Sequence, residues 1–169
     1  MIPFEVVTQT WQRISQLPPE QAPVLVEQMQ NEQPVVLSFL VSLDELPFNY
    51  YERESIFYIG LVTWQIMKQS ERVLQEVTVE KMRQAEDKNV DLLERLMDTD
   101  EVEFVTSVQR LISNHAEPEV LRYIVEAIIE ESEEEPGFQA ENTGLAFIHL
   151  KIVLDAFISC LGARADLVA

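Results

Sequence analysis

Residues 49–70 read NYYERESIFYIGLVTWQIMKQS. From Ile56 to Met67 only Gly60, Thr63 and Gln65 interrupt an apolar run, and no charge occurs there. A helix of this span is about 30 Å long, the width of a small domain. Apolar on nearly every side, it has no face to give to water, so neighbours must surround it. The stretch therefore predicts an all-α fold: an irregular single-domain bundle of about eight helices around a central apolar helix over residues 50–70.

The flanking sequence fits that reading. Phe4, Val7, Trp11 and Ile14 repeat at helical spacing and predict a first helix over 4–16. Pro18-Pro19 ends it and opens a second, and Pro34 starts a short buried helix in VVLSFLVSL. Pro47 closes that segment, and Asn49 is the expected cap of the central helix, with the acids Glu52 and Glu54 suited to its first turn. No proline follows until Pro118, which leaves room for the longest helices.

Beyond Ser70 the central helix is expected to trail on, polar, towards Val77. A helix over 78–98 then places Met82, Ala85, Asn89, Leu92, Leu93 and Leu96 on one side, with Asp91 and Arg95 paired on the other. Asp100 and Glu103 have the form of a capping box, and Glu117-Pro118 opens the next helix, with Leu121, Ile124, Val125 and Ile128 inward. Residues 132–142 read as a polar loop. Asn142 or Thr143 is then expected to cap a last helix to Leu161, ended by Gly162 in a left-handed conformation. Helix starts are unevenly spaced, which argues against a regular solenoid. The domain is expected to span 1–162, with 163–169 as a frayed tail.

Composition narrows the function classes. The chain has 169 residues, 47% apolar, enough for one sizeable core. Its formal charge of −18 repels phosphate backbones and anionic lipid surfaces, so neither direct nucleic-acid binding nor membrane binding is expected. Cys160 is alone and cannot form an internal disulfide. MIPFEVVTQTW lacks a basic segment followed by an apolar run, and Leu145–Leu161 is short for a membrane span and carries His149, Lys151 and Asp155. The expected address is cytoplasmic.

No nucleophile elbow, phosphate loop, paired-cysteine zinc pattern or dinucleotide fingerprint occurs, and four glycines leave little to wrap a phosphate. Asp98-Thr-Asp100-Glu-Val-Glu103 resembles the start of a calcium loop, but it lacks the turn glycine and the closing Glu. Neither His115 nor His149 follows a Glu by three residues. No catalytic residue, metal or cofactor is assigned, and a non-catalytic role is the preferred reading.

Charge placement is the strongest anomaly. Between Asp98 and Glu135 twelve acids stand against Arg110 and Arg122, and six of them are Glu126, Glu130, Glu131, Glu133, Glu134 and Glu135. They run off a helix C-terminus, where carboxylates oppose the helix dipole. A segment that accepts this cost fits a protein-interaction module (adaptor, inhibitor or chaperone-like) that docks a basic or amphipathic protein partner. The same run is also what a merely solvated helix end looks like.

A second reading places a small-molecule pocket or active site beside the central helix, at Gly60, with Tyr58, Trp64 and His149 in its lining. Against it, aromatic stripes and a mid-helix glycine usually mark a close helix crossing. His149 shares a face with Leu145, Ile152 and Cys160, opposite Lys151 and Asp155, and is expected to be a core histidine satisfied by protein. His115 sits at a helix end and needs no further role. Self-association through surplus apolar surface is the third reading.

Overall fold

The computed structural model describes residues 1–134, 136–164 and 166. Asn49 opens the central helix α4 (Tyr50–Met67) with a complete capping box: its side chain accepts from the Glu52 N–H (2.8 Å), and its own N–H donates to Glu52 Oε1 (2.9 Å). Two orphan backbone donors are thereby satisfied before the apolar run begins. From Ile59 to Met67 every residue of α4 is buried.

Around α4 stand α1 (Phe4–Ser15), α2 (Ala22–Glu32), α3 (Pro34–Val41), α5 (Val79–Met97), α6 (Glu101–Asn114), α7 (Pro118–Glu133) and α8 (Thr143–Ser159). The described residues thus form an all-α bundle with eight α-helices and short 3₁₀ turns at Pro19–Gln21 and Ala140–Asn142. α4 packs against α1, α3, α7 and α8, and α5 lies along α8. α8 is a second core helix: Ala146 to Leu154 are buried without a break. Ala140–Ser159 is long and apolar enough to cross a membrane by composition, yet 61% of its window is buried inside the bundle. It behaves as a core helix.

Three local expectations need correction. The chain after Ser70 does not continue α4. It forms strand β1 (Arg72–Leu74), antiparallel to β2 (Leu161–Arg164), with a bulge between the Arg72–Arg164 and Leu74–Leu161 pairs. Gly162 therefore lies in a strand rather than in a left-handed cap, and Ala163 and Arg164 of the expected tail belong to β2. Arg72 explains the preference, because its guanidinium donates to the carbonyls of Leu161 (2.6 Å) and Gly162 (2.8 Å) and locks the two strands. Asn142 does not cap α8. Its amide turns instead to Glu52 (3.0 and 3.1 Å) and the Pro47 carbonyl (3.2 Å).

The buried amide of Gln33, between α2 and α3, completes this end of the core. It donates to the Gln75 carbonyl (3.0 Å) and accepts from the Val77 N–H (2.9 Å), as a neighbouring strand would.

Gly60 marks a close crossing. A Cβ built there would lie 2.6 Å and 2.7 Å from the two methyls of Leu40 on α3, which is itself 1% exposed. Overpacking of this kind costs about 1–3 kcal/mol, against about 1 kcal/mol recovered from helix propensity. Gly60→Ala is therefore expected to lower the unfolding free energy by about 1 kcal/mol in urea titrations, and to raise it in a Leu40→Ala background where the space is open. The same sign in both backgrounds would show that Leu40 is not what excludes a side chain.

Candidate functional site

The outer edge of α7 carries the acids singled out by the sequence. Glu126, Glu130, Glu133 and Glu134 are exposed, and none makes an ion pair among the described residues. Glu135 lies outside the described residues. Glu131 is different. It turns inward, accepting from the hydroxyls of Tyr51 and of Ser55 (3.3 Å), and fastens the end of α7 to α4. The bond to Glu131, then burial, pushes the Tyr51 hydroxyl above its ordinary pKa. The packing continues along the same seam, where burial raises Tyr58 and Tyr123, with the charge of Glu131 adding to both. One acid of the run is thus structural, and the others face solvent.

Ile129 shares this edge. It is 51% exposed, with the free carboxylates of Glu126 and Glu133 on its own face, three residues before and four after, and that of Glu130 next to it in the chain. Past the helix end, Gly137 folds the chain tightly back: a Cβ there would lie 2.5 Å from the Glu134 carbonyl oxygen and 2.6 Å from that of Glu131. Phe138 then buries itself, and the Gln139 N–H donates to Glu52 Oε2 (3.2 Å). Glu52, a fully buried carboxylate, therefore holds both the cap of α4 and the loop after α7. The sequence reading gave it only a dipole role; the loop that reaches it lies some ninety residues away in the chain.

The four residues of the pocket reading do not converge: Gly60, Trp64 and His149 lie in the core, whereas Tyr58 is 40% exposed. Leu40 fills the space at Gly60. Trp64 is wholly buried and its Nε1 has no partner among the described residues; Lys68 lies over its ring, 4.8 Å from the centroid. Tyr58 faces α7. His149 stacks on Phe39 of α3, with ring centroids 4.1 Å apart and planes 8° from parallel. Neither of the two surface clefts described below includes any of the four. His149 is 7% exposed and makes a backbone bond to Phe39, as expected of a core histidine, while its Nε2 finds no partner among the described residues. Burial drives its pKa down to about 4, opposed in part by a backbone bond to Phe39, so the ring is neutral at pH 7.

A polar chain that the sequence did not reveal runs between α5, α8 and the start of α7. Lys151, expected on the outer face, is buried. Its Nζ donates to Asp155 Oδ2 (2.6 Å) and Asn89 Oδ1 (2.9 Å), while Asn89 Nδ2 donates to Asp155 Oδ2 (2.9 Å). His115 Nε2 lies 2.9 Å from Asp155 Oδ1, and the Glu117 N–H donates to His115 Nδ1 (3.1 Å). Burial alone would raise Asp155, but the bond to His115, the charge of Lys151 and the Asn89 amide outweigh it and hold it at about 2. The signal available in the sequence was an Asn in an apolar stripe, and a Lys–Asp pair four apart in an otherwise uncharged helix. Both nitrogens of His115 are engaged by protein, one by Asp155 and the other by the Glu117 N–H.

Two surface clefts have none of these groups in their lining. One, of about 420 Å³, runs beside Pro34, Leu37 and Phe57; the other, of about 260 Å³, lies between α5 and α6. Comparison with protein families, with curated proteins and with solved structures finds no match to this chain.

Two outcomes follow from the buried ionisable groups. Between pH 6.5 and about 4 the unfolded chain takes up a proton at residue 149 that the folded chain refuses, so acidification through that window destabilises the fold. The slope is up to about 1.4 kcal/mol per pH unit. His149→Phe, which keeps the stack on Phe39, is expected to gain stability relative to the parent over that window in urea titrations; parallel pH profiles would exclude the effect. Asp155→Ala strands Lys151 without a counter-ion and is expected to cost about 3–5 kcal/mol at pH 7, read as a drop in the urea midpoint.

Proposed function

We propose that this chain is a non-catalytic, cytoplasmic protein-interaction module that engages a basic, amphipathic segment of a protein partner along the outer edge of α7. The observation that carries the reading is the exposure of Ile129 inside a frame of unpaired carboxylates, Glu126, Glu130 and Glu133. A solvated helix end needs acids and gains nothing from an exposed isoleucine in their midst. A partner helix with an apolar side chain between lysines or arginines complements that pattern in both shape and sign. Glu134 extends the acidic strip, whereas Glu131 serves the fold and is left out of the binding set.

Exposed ion pairs are each worth about 0.2–1 kcal/mol, so three together supply about a tenfold effect. A synthetic amphipathic helical peptide of Leu and Lys, followed by fluorescence anisotropy, is expected to bind with affinity that falls steeply between about 0.1 M and about 1 M salt, as the screening length shrinks from ~10 to ~3 Å. E126Q/E130Q/E133Q is expected to weaken binding about tenfold, and I129S to weaken it without changing the salt slope. Affinity indifferent both to salt and to the three Gln substitutions would remove the reading.

A further inference from the structure

We propose that the cleft between α5 and α6 is a binding site for a small organic carboxylate with an apolar body. The cleft has about 260 Å³ of space, below the usual 300–1,000 Å³ range for drug-sized ligands. At about 30 Å³ per water-sized unit it suits a molecule of about ten heavy atoms. Leu92, Leu96 and Leu111 give it apolar walls, and Arg95, Arg110 and Ser107 give it a polar side.

Charge makes this cleft unlike the rest of the surface. The chain has 30 acidic residues against 12 lysines and arginines, yet no acid lines the cleft. Among the described residues, Arg53, Lys68, Arg83, Arg122, Lys151 and Arg164 each lie against a carboxylate. Arg13, Arg72, Lys81 and Lys88 have no carboxylate partner among the described residues either, but of the unpaired cations only Arg95 and Arg110 line this space together. The expected Asp91–Arg95 pair does not form; Arg95 Nε donates instead to the Asp91 backbone carbonyl (3.3 Å), which leaves its two terminal nitrogens uncommitted. Two unpaired guanidiniums beside one cleft repel each other, and an anion between them removes that cost while taking up paired N–H donors in the planar geometry a carboxylate fits.

The other polar groups of the lining add to the selection. The Thr99 hydroxyl and the Asn114 amide donate to carbonyls of their own helices (2.8 and 2.9 Å), whereas the Ser107 hydroxyl makes no hydrogen bond among the described residues. The three leucines have no complement in a bare inorganic anion. They call for a ligand with an apolar portion, so the chemistry selected is that of a medium-chain monocarboxylate. This site is independent of the α7 edge, and its test does not depend on that proposal.

Octanoate is the probe, titrated into the full chain by isothermal calorimetry. It is expected to bind once per chain, saturably and below millimolar concentration, while octan-1-ol, acetate and inorganic phosphate each bind at least about tenfold more weakly. R95Q and R110Q are each expected to weaken octanoate by about tenfold or more with the melting temperature unchanged, since both residues are exposed and unpaired. In the unmutated chain, octanoate should shift the methyl resonances of Leu92, Leu96 and Leu111, a readout that needs no variant to fold. Absence of saturable octanoate binding, equal binding of octan-1-ol or phosphate, or an unchanged affinity in R95Q/R110Q would each overturn the proposal.

Discussion

Two uncharged helical cylinders must share one small interior, and the rest of the structure follows from covering them. α4 is buried from Ile59 to Met67 and α8 from Ala146 to Leu154, and both are apolar around most of their circumference. Burial of aliphatic and aromatic side chains at about 25 cal/mol per Å² is the main favourable term available to such a chain. Neither helix can be satisfied by one neighbour. α1, α3 and α7 close around α4, while α5 and α7 close around α8. Gly60 belongs to the same constraint, since only a residue without a Cβ lets Leu40 reach so near the helix axis.

Polar groups on such helices have to be paired, and the pairing joins distant segments of the chain. Lys151 and Asp155 are drawn into the interior with α8, and Asn89 and His115 satisfy them from α5 and from the end of α6. Glu52 is drawn in with α4, and its carboxylate gathers donors from Asn49, Gln139 and Asn142. A buried carboxylate without such donors would cost several kcal/mol. These closed networks read as structural fasteners. His149 is the exception: it is neutral, stacked on Phe39 and lacks a partner at Nε2.

The surplus acids then fall to the outside by elimination, because the interior has donors for few carboxylates. They are not equivalent there. Glu131 is held by Tyr51 and Ser55 and ties α7 to α4, whereas Glu126, Glu130 and Glu133 stand free around Ile129. On the opposite logic, Arg95 and Arg110 keep their charge unspent beside a leucine-lined cleft in an acidic chain. Neither place includes the histidines or the aromatic cluster of α4.

What the sequence determined by itself was local and periodic: the helical class, the boundaries set by Pro34, Asn49, Asp100 and Pro118, and the central place of a helix read over 50–70, which the structure ends at Met67. Each follows from an apolar repeat, a capping side chain or a proline, all of which act within a few residues. Tertiary structure alone decided where isolated polar groups point. Lys151 faces inward although helical phase sets it opposite His149, and Glu131 is spent on Tyr51 while its neighbours stay free. Arg72–Leu74 form a strand in place of helix because Arg72 and Gln75 find carbonyls near residue 161. Such choices depend on partners sixty or more residues away, and the free energy of a long-range hydrogen bond is written in neither segment alone.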